Sequence, residues 1–232
     1  MKKYFLFLSL TVLCIFALHA DVLITQETVT PEIMGQPGST DIMETWLGKG
    51  IIATLGKDSG VIIDMNSKKA IIINHASKSY VETDIPIDFS KLVSEEMAPM
   101  MEQMMQGMTV TVNKGSEKKK VAGIDTESYL INMTMMGMPM NSTYWVAKKG
   151  LPFSWDDYRD IYMQMTQIQM RGGDTMIKEL SKIDGFPLAM EIDFMGNMIT
   201  TNTLEIKKDA KAPAGTYSAP EGYTKNDRLQ MR

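Results

Sequence analysis

From Leu188 onward the chain alternates. Leu188, Met190, Ile192 and Phe194 are apolar, and Ala189, Glu191 and Asp193 between them are small or acidic. A period of two predicts a strand with one dry face and one wet face. Gly196-Asn197 follows, and glycine first in a two-residue loop predicts a type II′ turn, with 198–207 returning as the second strand. The same pattern recurs upstream in shorter pieces. A first strand is predicted over 22–29, ended by Pro31. Residues 41–55 read as a bent strand or hairpin, because Gly48 and Gly50 interrupt them. Short strands at 61–65, 70–74 and 79–83, separated by Asn66-Ser67-Lys68 and Ala76-Ser77-Lys78, predict an antiparallel meander. Two further runs, 108–113 and 118–122, precede a hairpin of 126–135 and 140–147 that turns through Met136-Gly137-Met138-Pro139.

Two regions carry helical periodicity instead. Ser154 is a good N-cap, and Asp156 and Asp157 follow in the first turn, where the helix dipole favours acids. Trp155, Tyr158, Tyr162 and Met165 then recur on one face, with Ile161 and Ile168 beside them. Arg171-Gly172-Gly173-Asp174 breaks this helix, and a shorter one is predicted over 175–183. The other region runs from 89 to about 106, where Pro99 predicts a kink or two short helices. Met97, Met100, Met101, Met104, Met105 and Met108 form an apolar stripe opposite Glu102, Gln103 and Gln106. There is no internal repeat and no low-complexity linker. The expectation is a mainly β, α+β chain: one domain with a strongly bent antiparallel sheet and helices against one face.

The first twenty residues stand apart. Lys2 and Lys3 precede an apolar run from Tyr4 to Leu18, and Ala20 precedes Asp21. This reads as a secretory signal peptide cut after Ala20, since about fifteen apolar residues fall short of the roughly 20 a spanning helix needs. Nothing else is long and apolar enough to cross a bilayer as a helix. The expected organisation is a signal peptide over 1–20 and a single domain over 21–232, secreted, with a bacterial periplasm as the destination. Without 1–20 the basic residues fall from 24 to 22 against 28 acidic ones, a net of −6, and the lone cysteine, Cys14, is lost. Disulfides and thiol chemistry are then excluded. An acidic chain whose longest basic block is Lys118-Lys119-Lys120 gives no sign of nucleic-acid binding.

Chemistry-bearing motifs are few. In Gly50 to Lys57, five residues separate the glycines where a phosphate loop has four, and Asp58 stands where a magnesium-binding hydroxyl belongs. His75, the one histidine after the signal segment, sits at a strand end without a framed nucleophile or orienting acid, and reads as a polar turn residue. Zinc-ligand spacing is absent. Acid pairs such as Glu95-Glu96 and Asp156-Asp157 read as solvated or dipole-matched helix ends. No cofactor is implied and no enzyme activity is expected.

The one informative excess is methionine, 23 residues of 232. Three readings follow from thioether chemistry. Methionine is flexible core filler; it lines repackable surfaces for apolar ligands; and its soft sulfur binds Cu(I). The second reading places an apolar ligand, a lipid or acyl chain, against Met97, Met100, Met101, Met104, Met105, Met108, Trp155, Tyr158 and Tyr162. The third uses Met133, Met135, Met138 and Met140 in the dense run before Asn141. A structural or partner-binding envelope protein is a further alternative.

A family resemblance can be read from ordered short motifs. They are Asp64-Met65-Asn66-Ser67-Lys68-Lys69, Asn74-His75, Lys78-Ser79-Tyr80, and Lys119-Lys120-Val121-Ala122-Gly123-Ile124 before Tyr129. Trp145-Val146-Ala147, Leu151-Pro152-Phe153-Ser154-Trp155 and Tyr217-Ser218-Ala219-Pro220-Glu221-Gly222-Tyr223 follow. Together, over roughly 60–225, they resemble the bacterial secreted domain-of-unknown-function family 4412, which in turn is similar to the lipoprotein-carrier (LolA/LolB-like) superfamily. The resemblance implies an unclosed half-barrel with helices over a hydrophobic concave face, and it implies no catalytic residue.

Overall fold

The computed structural model describes residues 21–33, 35–88, 92–94, 96–97, 99–100, 103, 108–135, 137–170 and 174–229. The elements in chain order are β1 (Asp21–Thr30), β2 (Ser39–Gly48), β3 (Ile51–Leu55), β4 (Ser59–Asp64), β5 (Lys69–Asn74) and β6 (Ser79–Asp84). Then come β7 (Thr109–Val121), β8 (Ile124–Met135), β9 (Met138–Ala147), α1 (Trp155–Met170), α2 (Asp174–Leu180), β10 (Phe186–Phe194), β11 (Asn197–Ala210) and β12 (Thr224–Asn226). The twelve strands among the described residues belong to one sheet, in the order β12-β6-β5-β4-β3-β2-β1-β11-β10-β9-β8-β7.

That order is two antiparallel meanders joined back to back. β1 to β6 run outward to one edge, β11 back to β7 run outward to the other, and the β1–β11 pairing welds them. The sheet does not close on itself: it is large, curved and mostly antiparallel, with few helices, as the sequence reading expects. Only β12, parallel to β6, departs from the antiparallel pattern. The β7 edge carries Lys114, Lys118, Lys119 and Lys120, and charged side chains on an edge discourage strand addition by another chain.

The concave face holds the main core. Val22 and Ile24 of β1, Leu47 of β2, Ile52 of β3, and Val61 and Ile63 of β4 pack against Trp155, Ile161, Met165 and Ile168 of α1. Ile24, Ile52 and Ile63 are completely buried, and burying such side chains contributes about 1.5–3 kcal/mol each. α1 takes the predicted face inward: Trp155, Phe186, Tyr162 and Phe153 form a chain of edge-to-face ring contacts 5.3–6.3 Å between centroids. A second cluster lies under α2, where Met176 and Leu180 meet Val110, Val112, Tyr129, Ile131 and Met133. The opposite face of the first meander is covered by the segment after β11. Tyr217 and Tyr223 pack there against the cluster of Trp46, Ala53, Ile62 and Ile73.

Several expectations need correction. The runs 108–113 and 118–122 are one strand, β7, because a bulge between Lys114 and Lys118 absorbs the residues that look like a break. Gly115 permits it: a Cβ there would sit 2.2 Å from Ser128 Oγ. The β8–β9 hairpin is tighter than expected. Met135 pairs with Met138, so Met138 and Pro139 belong to β9. The last hairpin turns one residue earlier than expected. Phe194 pairs with Asn197, and both loop residues, Met195 (φ 55°) and Gly196 (φ 79°), are left-handed, which is the type I′ geometry. Asp193 Oδ1 accepts the Gly196 N–H at 2.8 Å and helps hold it. Nor does β10 have one wet and one dry face. Phe186 to Ala189 are buried on both faces, and Met190 to Phe194 are half-buried on both. The helix expected over 175–183 is α2, which ends at Leu180. Of the region 89–106, Pro99 and Met100 are helical, and most of the rest lies outside the described residues, as does the signal segment 1–20.

Candidate functional site

α1 lies across the concave face and leaves a hollow on each flank. Its first turn is anchored twice. Trp155 is buried against Tyr162 and Phe186, and Tyr158 donates its hydroxyl to the Gly48 carbonyl at 3.0 Å. Near the middle, Thr54 Oγ1 of β3 donates to Met165 Sδ at 2.9 Å. Beyond that contact the concave face turns polar but stays buried. Gln26 donates to Thr203 Oγ1 (3.2 Å) and to the Pro187 carbonyl (3.4 Å), and Thr203 donates to the Leu188 carbonyl at 2.6 Å. Those hydrogen bonds satisfy groups that would otherwise cost a few kcal/mol each to bury.

The hollow on the β2–β5 flank is about 410 Å³, lined by Met43, Thr54, Val61, Ile72, Ile168 and Leu229 among others. The hollow on the β9–β10 flank is about 210 Å³, with Tyr144, Tyr162, Met163, Leu180, Met190 and Ile192 in its walls. Burial alone pushes the Tyr144 phenol up from its ordinary value, and burial chiefly does the same to Tyr162. Both rings therefore stay neutral at physiological pH and present an apolar surface.

Beside the second hollow lies a polar groove of about 730 Å³. Lys114 and Lys118 share the Glu127 carboxylate, and their two ammonium groups hold it below the usual carboxylate range. Lys120 pairs with Asp125 at 2.7 Å, and Lys148 donates to Asp184 Oδ2 at 2.7 Å. Asp184 Oδ1 is buried and has no hydrogen-bond partner among the described residues. Lys119 reaches Glu191 at 2.8 Å and sits 4.0 Å over the Trp145 ring.

The residues expected to bind an apolar chain fall in different places. Tyr162 lines the second hollow; Trp155 and Tyr158 anchor α1. Met108 packs, half-buried, against the cluster under α2, Met97 is half-buried and Met100 is exposed. Met101, Met104 and Met105 lie outside the described residues. Of the methionines considered for copper, Met133 is buried and Met140 half-buried in the cluster under α2, and Met138 is exposed. The register sets Met133 opposite Met140 and Met135 opposite Met138. Three methionines that do line hollows, Met43, Met163 and Met190, were not singled out from sequence. Met190 carried a signal, its place in the alternating run, but Met43 and Met163 carried none until the helix was laid on the sheet.

His75 is a tether. Its Nδ1 lies 2.8 Å from the Tyr223 hydroxyl, and the rings meet edge to face at 5.7 Å. Among the described residues no cluster of three or more His, Cys, Asp or Glu side chains is arranged to hold a metal ion. No helix among them is long and apolar enough to cross a membrane.

No family model matches the chain, so the resemblance to family 4412 gains no support at that level. No curated protein matches it either. Among solved structures, PNGF-II in two crystal forms is similar over 90% and 89% of this chain, at TM-scores of 0.44 and 0.43 and 8% and 10% identity. The chain spans only 31% of PNGF-II. A domain from Vibrio parahaemolyticus described as an outer membrane lipoprotein-sorting protein domain is similar over 85% of this chain and 89% of its own, at a TM-score of 0.34 and 10% identity. Likenesses this distant bear on neither activity nor ligand.

Proposed function

We propose that this is an exported, periplasmic binding protein that holds a lipid or acyl chain against the concave face of the sheet, without catalysing a reaction on it. The observation that carries the reading is the pair of apolar hollows flanking α1. The larger, about 410 Å³, falls in the usual range of roughly 300–1,000 Å³ for small-molecule sites. Their linings combine Met43, Met163 and Met190 with aliphatic and neutral aromatic side chains. Methionine suits such a wall because its unbranched side chain repacks around chains of different length. Export rests on the signal-like segment 1–20.

The test is direct. The purified chain is titrated with the neutral apolar fluorophore N-phenylnaphthylamine, and copurifying lipids are extracted and identified by mass spectrometry. Saturable fluorescence enhancement, weakened at least fivefold by Met163→Lys, is expected. A protein that neither enhances the probe nor carries extractable lipid is not a carrier.

The register of the β8–β9 hairpin, which sets Met133 opposite Met140 and Met135 opposite Met138, favours a second reading, Cu(I) binding by Met133, Met135, Met138 and Met140. Competition of Cu(I) against a chelator distinguishes it: changing all four to Leu should abolish binding, and an unchanged affinity ends this reading.

A further inference from the structure

The hollow on the β9–β10 flank and the lysine groove share a wall one residue thick. Ile183 and Gly185 line the hollow, and Asp184 between them lines the groove. The two compartments also adjoin across the strands: Tyr129 and Tyr144 are register partners on β8 and β9 and share one face of the sheet, the first in the groove and the second in the hollow. The wall is pinned to the sheet, since the Asp184 N–H donates to the Tyr129 hydroxyl at 3.4 Å and Phe186, next to Gly185, pairs with Ala147 of β9. An apolar compartment therefore opens beside a charged one.

The groove's charge is unbalanced. Lys114, Lys118, Lys119, Lys120, Lys148 and Lys149 line it against Asp125, Glu127 and Asp184, and with Glu191 counted as the partner of Lys119 the excess is two positive charges, in a chain whose formal net charge is −4. Edge protection explains the lysines of β7. It does not explain Lys148 and Lys149, which directly follow β9 and converge on the same groove. Lys118 shares its carboxylate with Lys114, and no ion pair among the described residues engages Lys149. A cleft lined by one sign of charge attracts counter-charged ligands.

Building on the apolar-chain reading, we infer that the ligand is a single-chain amphiphile with an anionic head. Its chain enters the hollow beside Tyr162 and Met163, and its head rests among Lys118, Lys148 and Lys149. The shared chemistry is a monoanionic or dianionic head on an alkyl chain, and the probes separate the head from the chain.

Displacement of N-phenylnaphthylamine from the full chain is measured with dodecyl phosphate and with uncharged monododecanoylglycerol. Dodecyl phosphate should bind at least tenfold tighter. In Lys118→Gln/Lys149→Gln that preference should fall below threefold, with the affinity for monododecanoylglycerol unchanged. Both side chains are exposed, and Glu127 keeps Lys114 as its partner, so the variant leaves no carboxylate stranded. Raising NaCl to about 1 M, where the Debye length is ~3 Å, should shrink the wild-type preference likewise. Equal binding of the two amphiphiles by the wild type overturns the anionic head and leaves the apolar-chain reading standing. Failure of both to displace the probe removes that reading as well. If inorganic phosphate stabilises the protein thermally as well as dodecyl phosphate at equal concentration, the chain contributes nothing and the joined site is overturned.

Discussion

Gly185 is the position where backbone conformation and the candidate site meet most tightly. Its φ is +148°, a region open essentially to glycine alone, and a Cβ built there would lie 2.6 Å from the Ala147 carbonyl oxygen and 2.7 Å from Val146 Cγ1. The nearer atom is backbone, held in the β9–β10 ladder through the Phe186–Ala147 pair, so it has no rotamer by which to yield. For Gly185→Ala, the conformational strain costs about 1–3 kcal/mol and the overpacking another ~1–3 kcal/mol. The sum, about 2–6 kcal/mol, is a large share of the ~5–15 kcal/mol that holds a typical domain together. The measurement is urea unfolding followed by circular dichroism, with Gly123→Ala as the control. Gly123 also has a positive φ, +80°, but no atom lies within 4 Å of its would-be Cβ, so only the left-handed penalty of about 1 kcal/mol applies. At ~2–4 °C per kcal/mol for a chain this long, Gly185→Ala should also melt roughly 4–24 °C below wild type. If the two variants agree within about 0.5 kcal/mol, close approach at the wall is not what makes this glycine necessary.

Two further outcomes follow from contacts away from the hollows. Tyr223→Phe keeps the ring against His75 but removes the hydroxyl 2.8 Å from its Nδ1, a loss of about 1 kcal/mol; amide exchange at Thr224, whose N–H donates to the Lys78 carbonyl, should accelerate severalfold, and unchanged protection would show that the tyrosine is not the tether. Lys119 holds the Glu191 carboxyl below its ordinary range, and the Trp145 Nε1–H adds to the effect against some opposing desolvation. A lowered folded-state value means that this contribution is present above the unfolded value of ~4.3 and fades as pH falls through the folded one. Wild type should exceed Glu191→Gln by less than about 1 kcal/mol at pH 7, since the pair is partly exposed, and the gap should narrow as pH falls below the unfolded value; a gap that stays constant through that fall contradicts the assignment.

Most of the local structure was readable in advance because its causes are local. The strands of the first meander, the α1 face of Trp155, Tyr162 and Met165, and the Ser154 start all follow from side-chain periodicity and capping within a few residues. The errors were local too, but they turned on contacts that periodicity does not encode. The Lys114–Lys118 bulge depends on Ser128 of the neighbouring strand, whose Oγ accepts the Glu117 N–H. The one-residue slip of the last turn depends on Met195 accepting a left-handed φ, supported by Asp193. The methionines show the same division. Their number suggested a soft surface, yet Met165 and Met176 are core, Met195 and Met198 are exposed, and Met43, Met163 and Met190 line hollows.

The amino-acid order alone determined the kind of chain this is: short alternating strands, a capped amphipathic helix, an acidic balance and a surplus of thioethers. Those properties depend on each residue and its near neighbours. Folding decided what those pieces enclose. β1 meets β11 across nearly the whole chain, and only that pairing sets α1 over a concave face with a hollow on each side. The lysine groove likewise draws on β7, β8, the end of β9 and the residues after α2. Charges so far apart in sequence carry no common signal until strand pairing brings them within a Debye length of one another.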